Sequence, residues 1–397
     1  MSTILFITLL CIAVVVCWKT RSIFHPSFIT SCIWLIVICA YNTLNHGLYP
    51  ISNKFYYALA LWTIPFCMSS YFFSRVKLKI PPALAYRTIN PNYVSLTSVC
   101  LYIIILICAI GVQYTLGGAS TVNILAGMRE LNLSEDLPLH YKVITYLEVP
   151  IYVIFWAILF FGSKLHKRYV VYLGLLLVVF TFLNATKGKL LELFLAFVFY
   201  GIYTKRLKLK WLLLMAGCLI PMIGALSLLR DGVDSMDFIE LLIIYILSPI
   251  TALDIALQFG PFEPSLDGSH TFRLFYTLQE LLVGSQPPNN GNAITGWVNV
   301  PLPTNVYTIM YNYYLDWGYK GIAIMGTLLG AFWGTLFNLV KKGVRVCVIA
   351  FALLYYNLVF QFFGDWLLYL LSQTLQILFF STFIFLRFKS TKYAQEH

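Results

Sequence analysis

Long apolar runs separated by short basic loops dominate the chain. A transmembrane α-helix needs about 20 apolar residues, and several runs reach or approach that length. The eleven runs lie at residues 3–18, 28–44, 55–73, 93–116, 143–161, 169–183, 190–203, 211–229, 321–340, 344–363 and 367–386. This pattern predicts an all-α, polytopic helical membrane protein with about 11–12 transmembrane helices, organised as a single transmembrane domain over residues 1–397.

Composition supports the membrane class. Hydrophobic residues make up 60% of the chain and charged residues only 11%, whereas soluble domains carry about 25% charged residues. The first run lacks a basic flank before it and a small-residue cleavage site after it, which indicates a retained helix rather than a signal peptide. The cysteines all lie in apolar runs without metal-site or disulfide spacing, so we predict no metal site.

Basic loops set the predicted orientation. Lysines and arginines cluster after the first, third, fifth and seventh runs, before the tenth run and at the C-terminus. Since such loops stay on the cytoplasmic side, we predict the N-terminus outside and the C-terminus inside. Membrane orientation thus explains the net charge of +11, and we predict no nucleic-acid partner. The outer segments are then residues 46–54, 117–142, 184–189, 230–320 and 364–366.

The largest outer segment, residues 230–320, holds nine of the sixteen acidic residues of the chain. Its apolar stretch Phe238–Phe259 contains a Ser-Pro pair and Asp254. A single crossing here would invert the charge pattern of the loops that follow, so we predict a re-entrant or interfacial helix pair. A true crossing paired with a second one near residues 306–315 is the alternative. The polar stretch 260–321 is predicted to be the active surface.

Four outer cations are candidate ligands of an anionic group, because the positive-inside bias works against cations on that side. Lys187 and Lys189 lie in NATKGKLLELF, where a glycine turn before a helix favours phosphate. The alternative is two lysines reaching to the interface, with Glu192 pairing Lys189 at i, i+3. Arg230 and Arg273 can grip a phosphate at two points. For Arg230, a surface pair with the aspartate that follows it is the alternative.

A short helix is predicted in the sequence SLDGSHTFRLFYTLQELLVG. Ser269 or Thr271 would cap its N-terminus, and Gly284 would end it. His270 and Arg273 would then be i, i+3 neighbours on one face of this helix. This placement favours His270 as a general base for a hydroxyl, with Arg273 holding an anionic leaving group.

Other residues of the polar stretch are candidates for sugar binding or catalysis. Asp267 is the alternative general base. Asp316 is predicted to contact a sugar or to act as a base, with capping of the following helix as the structural alternative. Trp297, Tyr307 and Trp317, among other aromatic residues, could stack on sugar faces or form an interfacial belt.

Several catalytic classes lack their sequence signatures. The chain carries no nucleotide-binding glycine loop, no zinc-ligand spacing and no nucleophilic serine elbow. We therefore predict no cofactor, and we expect a substrate that is already activated, such as a lipid-linked diphosphate.

The chain resembles the Wzy-type O-antigen polymerases, also called oligosaccharide repeat unit polymerases, over nearly its whole length. The resemblance is carried by the many spans, the high aromatic content, the large late outer loop and local motifs. These motifs are Thr186-Lys187-Gly188-Lys189, Gly268-Ser269-His270-Thr271-Phe272-Arg273, the spacing Arg273-x10-Gly284, and Asn305-Val306-Tyr307-Thr308 followed by Asp316-x-Gly318-x-x-Gly321.

The resemblance implies a GT-C-like membrane glycosyltransferase with a large periplasmic loop. Such enzymes move a growing glycan from undecaprenyl diphosphate to the non-reducing end of an undecaprenyl-diphosphate-linked repeat unit. They work at the periplasmic face of the bacterial inner membrane, without nucleotide sugars or a metal, and a chain-length regulator protein is an implied partner besides membrane lipid. The family's outer-loop arginines are thought to hold the diphosphate. Only Arg273 matches that pattern here, because the second arginine motif is not found around Arg129 or Arg230.

Two rival functions remain open. A lipid-linked oligosaccharide flippase would need charged residues inside the helix bundle, whereas the predicted spans hold few ionisable groups. An O-antigen ligase shares the chemistry and differs in its acceptor, lipid A-core. The Thr-Lys-Gly-Lys and Asp-x-Gly motifs favour the polymerase.

Overall fold

The computed structural model describes residues 2–80, 89, 91–116, 139–162, 167–183, 187–205, 210, 238–260, 263–284 and 296–385. Helices account for nearly all of the regular structure in these residues. They are α1 (Ser2–Thr20), α2 (Pro26–Thr43), α3 (Asn53–Phe73), α4 (Pro91–Leu116), α5 (Leu139–Phe161), α6 (Lys167–Leu183), α7 (Lys187–Tyr203), α8 (Phe238–Phe259), α9 (Arg273–Val283), α10 (Met310–Lys341), α11 (Arg345–Val359) and α12 (Leu371–Phe383). A two-stranded antiparallel hairpin joins β1 (Val298–Asn299) to β2 (Pro303–Thr304). The predicted all-α class is confirmed.

Three helices in the described part of the chain are long and apolar enough to cross a membrane. They are α1, α2 and α10. At a rise of about 1.5 Å per residue, 18 or more residues approach the thickness of the hydrocarbon core. The count of eleven to twelve crossings stays a prediction, and the run at 211–229 lies outside the described residues.

Most predicted runs correspond to observed helices, with two differences. Helix α10 begins at Met310, eleven residues before the predicted start, because the tyrosine-rich segment continues helically into the apolar run. Helix α8 is one continuous helix of 22 residues with Pro249 inside it, so the prediction of a helix pair is wrong. A proline removes a single backbone donor, and here that loss does not end the helix.

The chain forms two compact units. The first comprises Met1–Lys79, Ser235–Lys342 and Leu354–Thr374, and the second comprises Ile80–Asp234, Gly343–Leu353 and Leu375–His397. In the first unit, α10 lies along α3, and α1 and α2 also pack on α3. In the second unit, α4, α5 and α6 pack together, and the fully buried Trp156 contacts aromatic rings of α7.

Glycines allow α3 and α10 to approach closely. A Cβ at Gly330 would overlap the carbonyl oxygen of Phe66, and one at Gly334 would overlap that of Ser70. At Gly326 it would lie 2.9 Å from the carbonyl oxygen of Trp62. These glycines recur every fourth residue, so they form one stripe along α10. Small residues at this spacing let helix backbones pack closely where lipid removes the hydrophobic driving force.

A buried glutamine joins several elements of the first unit. The Gln361 side-chain oxygen accepts from Trp62 Nε1 at 2.9 Å and from Trp34 Nε1 at 3.4 Å. Its side-chain nitrogen donates to Thr30 Oγ1 at 2.8 Å, and its backbone oxygen accepts from Ile309 N at 2.9 Å. This network connects α2 and α3 to the residues that follow α11 and to the start of α10.

We expect Gly334→Ala to destabilise the protein by about 1–3 kcal/mol, because the added methyl group must push α3 away from α10. The matched control is Gly174→Ala in α6, where the new Cβ lies 3.6 Å from Phe155 Cε2, an ordinary contact. There, the gain in helix propensity should leave stability unchanged or raise it by about 0.5–1 kcal/mol. The melting temperature of each variant in detergent measures these effects. If Gly334→Ala melts at the same temperature as Gly174→Ala, the close contact between α3 and α10 is contradicted.

Candidate functional site

A kink in α10 anchors the polar segment of residues 265–272. Trp317 (φ −138°) and Gly318 (φ 62°, ψ −152°) interrupt the helical backbone, and the Gly318 conformation is open essentially only to glycine. The Leu315 carbonyl accepts instead from Ser265 N at 2.9 Å, and the Asp316 carbonyl accepts from Leu266 N at 2.8 Å. The interrupted helix therefore holds a segment about 50 residues earlier in the chain.

The Asp316 carboxylate completes this anchor. The side chain is fully buried, and it accepts from Thr271 N at 2.7 Å and from His270 N at 3.1 Å. The Ser265 hydroxyl donates to it at 3.0 Å. These contacts contradict a direct sugar contact or a base role for Asp316, because a buried carboxylate with three donors does not reach a substrate. Nor does it cap its own helix, since its donors lie in the turn before α9.

Gly268 brings the two glycine-containing motifs together. Its φ of +75° lies in the left-handed region, and an added Cβ would be 3.0 Å from Cζ2 of Trp317. The Trp317 ring also lies 6.1 Å from the ring of Phe272. Trp317 thus packs on the segment, and the Gly-Ser-His and Asp-x-Gly motifs form one structural assembly.

Helix α9 begins at Arg273 and ends as predicted, with Gly284 in the left-handed conformation at φ 69°. The predicted N-terminal cap is wrong, because the capping residue is Phe272 and no side chain caps this end. The prediction that His270 and Arg273 share one face of a helix is also wrong. The hydrogen bonds from His270 N and Thr271 N to Asp316 keep these residues in a turn before the helix.

Asp267, the alternative base, is an exposed residue of this turn. Its Oδ1 accepts from Ser269 N at 2.9 Å. Burial is the largest single effect on the pKa of Asp267 and raises it, but the hydrogen bonds from Ser269 and Ser265 and the charge of His270 together outweigh burial. The pKa of Asp267 therefore lies below its usual value. A carboxylate with a lowered pKa is a weaker proton acceptor.

A polar and aromatic cavity of about 310 Å³ lies in the same unit. Arg273 reaches it through Tyr369, because its Nη1 donates to the Tyr369 hydroxyl at 2.9 Å. The guanidinium also lies 5.6 Å from the centre of that ring. The cavity is lined by Asn305, Val306, Tyr307, Thr308, Tyr311, Asn312, Phe363, Gly364, Asp365, Trp366 and Tyr369.

Paired aromatic rings form much of the cavity wall. Tyr307 stacks on Tyr311 with centroids 3.9 Å apart, and Phe363 lies nearly parallel to Trp366 at 6.4 Å. The predicted sugar-binding residue Tyr307 therefore lies in the cavity. Trp297 does not line it, and its side chain is 70% exposed next to the hairpin.

Asp365 is the cavity residue that the sequence interpretation missed. It is 6% exposed, and it accepts from the Tyr313 hydroxyl at 2.7 Å and from the backbone N–H groups of Leu367 and Leu368. Burial raises the pKa of Asp365 to about 6, although these hydrogen bonds act in the opposite direction. The available signal was a lone acid in the three-residue outer segment 364–366.

The remaining predicted cations belong to the second unit. Lys189 is paired with Glu148 at 3.0 Å and with Glu192 at 3.2 Å. The alternative prediction of an i, i+3 pair with Glu192 is thus confirmed. Lys187 begins α7, but its side chain and all of Arg230 lie outside the described residues. Within the described ranges, no cluster of three His, Cys, Asp or Glu side chains could hold a metal ion.

The raised pKa of Asp365 predicts a pH-dependent stability. Its usual pKa is 3.8 and its folded value about 6, so the stabilisation is present below pH about 4 and is lost as pH rises through about 6. Asp365→Asn removes this titration. When the pH rises from 4 to 7.5, the free energy of unfolding of the wild type should therefore fall by about 3 kcal/mol relative to that of the Asp365→Asn variant. Glu280→Gln, at an exposed carboxylate on α9, is the control, and an equal shift there would contradict the assignment.

Comparison with known proteins identifies the family. A family model described as "Putative O-antigen polymerase" matches residues 22–361, which is most of the chain. No curated protein and no solved structure matches the chain. The matched residues include the kinked helix, the anchored segment, Arg273 and the Asn305–Thr308 side of the cavity. The resemblance found in the motifs is confirmed: this membrane protein belongs to the O-antigen polymerase family.

Proposed function

We propose that this protein is an O-antigen polymerase that elongates a lipid-linked glycan at the periplasmic face of the bacterial inner membrane. The donor is the growing glycan on undecaprenyl diphosphate, and the acceptor is a repeat unit on a second undecaprenyl diphosphate. A GT-C-like catalytic domain and contact with a chain-length regulator belong to the same proposal. Family membership and the apolar helices support the coarse assignment.

One contact carries the proposal at the level of the site. Arg273, the cation predicted to hold a diphosphate, donates to Tyr369 in the wall of the polar and aromatic cavity. The proposed anion site and a sugar-sized cavity are thus adjacent in one unit. A sugar diphosphate needs both, because the charged leaving group and the reacting sugar are joined by one bond.

The helix that begins at Arg273 supports a lipid-linked substrate. Helix α9 has no buried residue, and Leu278, Leu281 and Leu282 leave 42%, 79% and 79% of their surface exposed. In a membrane protein, such an apolar stripe lies in the boundary between headgroups and acyl chains. Arg273 would then be at headgroup depth, where the diphosphate of a polyprenyl lipid lies.

The proposed reaction is a displacement at the anomeric carbon. The acceptor hydroxyl gives its proton to the general base, and its oxygen bonds to the anomeric carbon of the donor sugar. The bond between that carbon and the diphosphate oxygen breaks, and its electron pair leaves with the diphosphate. Arg273 stabilises the departing charge through two-point hydrogen bonding.

We propose His270 as the base and Asp267 as its electrostatic partner. The lowered pKa of Asp267 makes it the weaker acceptor, and the charge of His270 contributes to that lowering. A neighbouring carboxylate can orient an imidazole and stabilise its protonated form.

Lys187, Lys189 and Arg230 remain proposed anion contacts on sequence grounds. The charge of Lys189 is already compensated by two carboxylates, so we expect its contribution to be the smallest of the three. Trp297 and Trp317 remain proposed sugar contacts only if the loop rearranges on binding, since one lies outside the cavity wall and the other packs on Gly268.

Arg273→Ala should lower the rate of polymerisation about 100-fold or more. Losses of this size follow the removal of one group that stabilises charge in a transition state. Arg273→Lys should recover only part of the rate, because an ammonium lacks the planar fork. The measurement is the lipopolysaccharide banding pattern of a strain that lacks this chain and is complemented with each variant. With Arg273→Ala, the expected product is lipid A-core carrying a single repeat unit.

The control is Lys320→Ala, which removes an exposed cation on α10 and should retain the long banding pattern. Long polymer made by normally expressed Arg273→Ala protein would overturn the role of Arg273. Lipid A-core with no repeat unit, in the strain lacking the chain, would contradict the polymerase and favour the ligase or the flippase.

The base assignment predicts unequal losses. His270→Gln should lower the rate of polymer formation about 100-fold, as for loss of a general base, whereas Asp267→Asn should lower it less than about tenfold, because an exposed charge pair contributes at most about 1 kcal/mol. Purified protein in lipid nanodiscs, supplied with lipid-linked repeat units, gives these rates. A larger loss for Asp267→Asn than for His270→Gln would assign the base to Asp267.

A further inference from the structure

We propose that the cavity beside Arg273 binds one uncharged monosaccharide residue and rejects acidic sugars. This inference rests on the proposed function, because it names the class of sugar that the same site accepts. It concerns specificity, and the experiments below separate its failure from failure of the polymerase assignment.

The size and wall of the cavity fit a single sugar ring. Its volume of about 310 Å³ is at the lower end of the roughly 300–1,000 Å³ typical of ligand sites. The Tyr307–Tyr311 stack and the Phe363–Trp366 pair offer flat apolar surfaces, which match the C–H faces of a pyranose. The Asn312 amide and the Tyr369 hydroxyl add polar groups at the same wall.

Two buried polar groups of the lining residues lack a hydrogen-bond partner among the described residues. They are the hydroxyl of Thr308, which is 2% exposed, and the indole N–H of Trp366. Leaving a buried polar group without a partner is unfavourable, so a ligand that supplies the partner gains affinity. The indole can only donate, so it needs an acceptor such as a sugar hydroxyl oxygen or an acetamido carbonyl. We expect side-chain rotations on binding to bring both groups to the sugar.

Charge decides the class of sugar. Among the described residues of the cavity lining, Asp365 is the one ionisable acid or base other than tyrosines, and its pKa of about 6 leaves it mostly ionised at neutral pH. Tyr313 from α10 donates to it, and Arg273 lies behind the Tyr369 ring. A uronic acid in the cavity would bring a second negative charge close to Asp365, and none of the described lining residues is a cation that could compensate it. Like charges at short range cost binding free energy.

Only one side of the cavity wall lies beyond the family match. Residues 363–369 follow the matched range 22–361, whereas the lining residues from Asn305 to Asn312 lie within it. Gly364 has φ +150°, and an added Cβ there would lie 3.2 Å from Trp366 Nε1. Gly364 therefore leaves room at the indole N–H, and a larger residue would obstruct it.

The test is saturation-transfer NMR on the full chain in lipid nanodiscs. The probes are methyl glycosides of glucose, galactose, mannose and N-acetylglucosamine, with methyl glucuronide as the acidic probe. At least one neutral glycoside should bind about tenfold more tightly than the glucuronide, a difference of about 1.4 kcal/mol. Thr308→Val and Trp366→Phe should each lower the affinity for the neutral glycoside about fivefold. Asp365→Asn should reduce the difference in affinity between the neutral glycoside and the glucuronide.

The controls are Thr327→Val on the exposed face of α10 and Trp18→Phe on α1, both exposed and remote from the cavity lining. They should leave glycoside binding unchanged. The inference is overturned if no neutral glycoside binds, if the glucuronide binds equally well, or if Thr308→Val and Trp366→Phe bind as the wild type does.

The banding experiment separates this result from the function. Arg273-dependent polymerisation without selective glycoside binding would overturn the cavity assignment and leave the polymerase intact. If the protein binds neutral glycosides selectively but its deletion does not yield the single-repeat band, the sugar site is retained and the polymerase assignment is overturned.

Discussion

The close contact between α3 and α10 is the constraint on which the rest of the first unit depends. Gly326, Gly330 and Gly334 let the two backbones meet, and this meeting places Trp62 against Tyr313 with ring centroids 5.8 Å apart. Trp62 also donates to Gln361, while Tyr313 donates to Asp365. One backbone approach thereby fixes both sides of the cavity, since a separation of the helices would release both donors at once.

The same long helix organises the chemistry at its outer portion. Where its backbone hydrogen bonding is interrupted at Trp317 and Gly318, the released carbonyls and the Asp316 carboxylate bind residues 265–271. Arg273 follows directly. Backbone contacts therefore position the arginine in the absence of substrate. Such preorganisation lowers the entropic cost of binding, which would favour the flexible lipid-linked substrate that we propose.

Apolar run length predicted the helices well, because burial in lipid requires long uninterrupted helices whatever their partners. Local motifs predicted the helix end at Gly284, and they also indicated Arg273, whose role in binding an anion stays a proposal. The sequence analysis missed Asp365 and misassigned Asp316, since both depend on contacts between residues about 45 or more positions apart. The same limit explains the error at His270: a carboxylate from α10 takes the backbone donors that a helix start would have used.

The division between the glycine stripe and the cavity wall bears on how such proteins diverge. The α3–α10 contact tolerates almost no added volume, whereas residues 363–369 form a short connection between α11 and α12. Loops tolerate replacement far better than packed helices do. A lineage could therefore exchange this connection and reshape the cavity wall while keeping its folded frame. Under the proposed function, very few codons would then suffice to change which sugar the cavity admits.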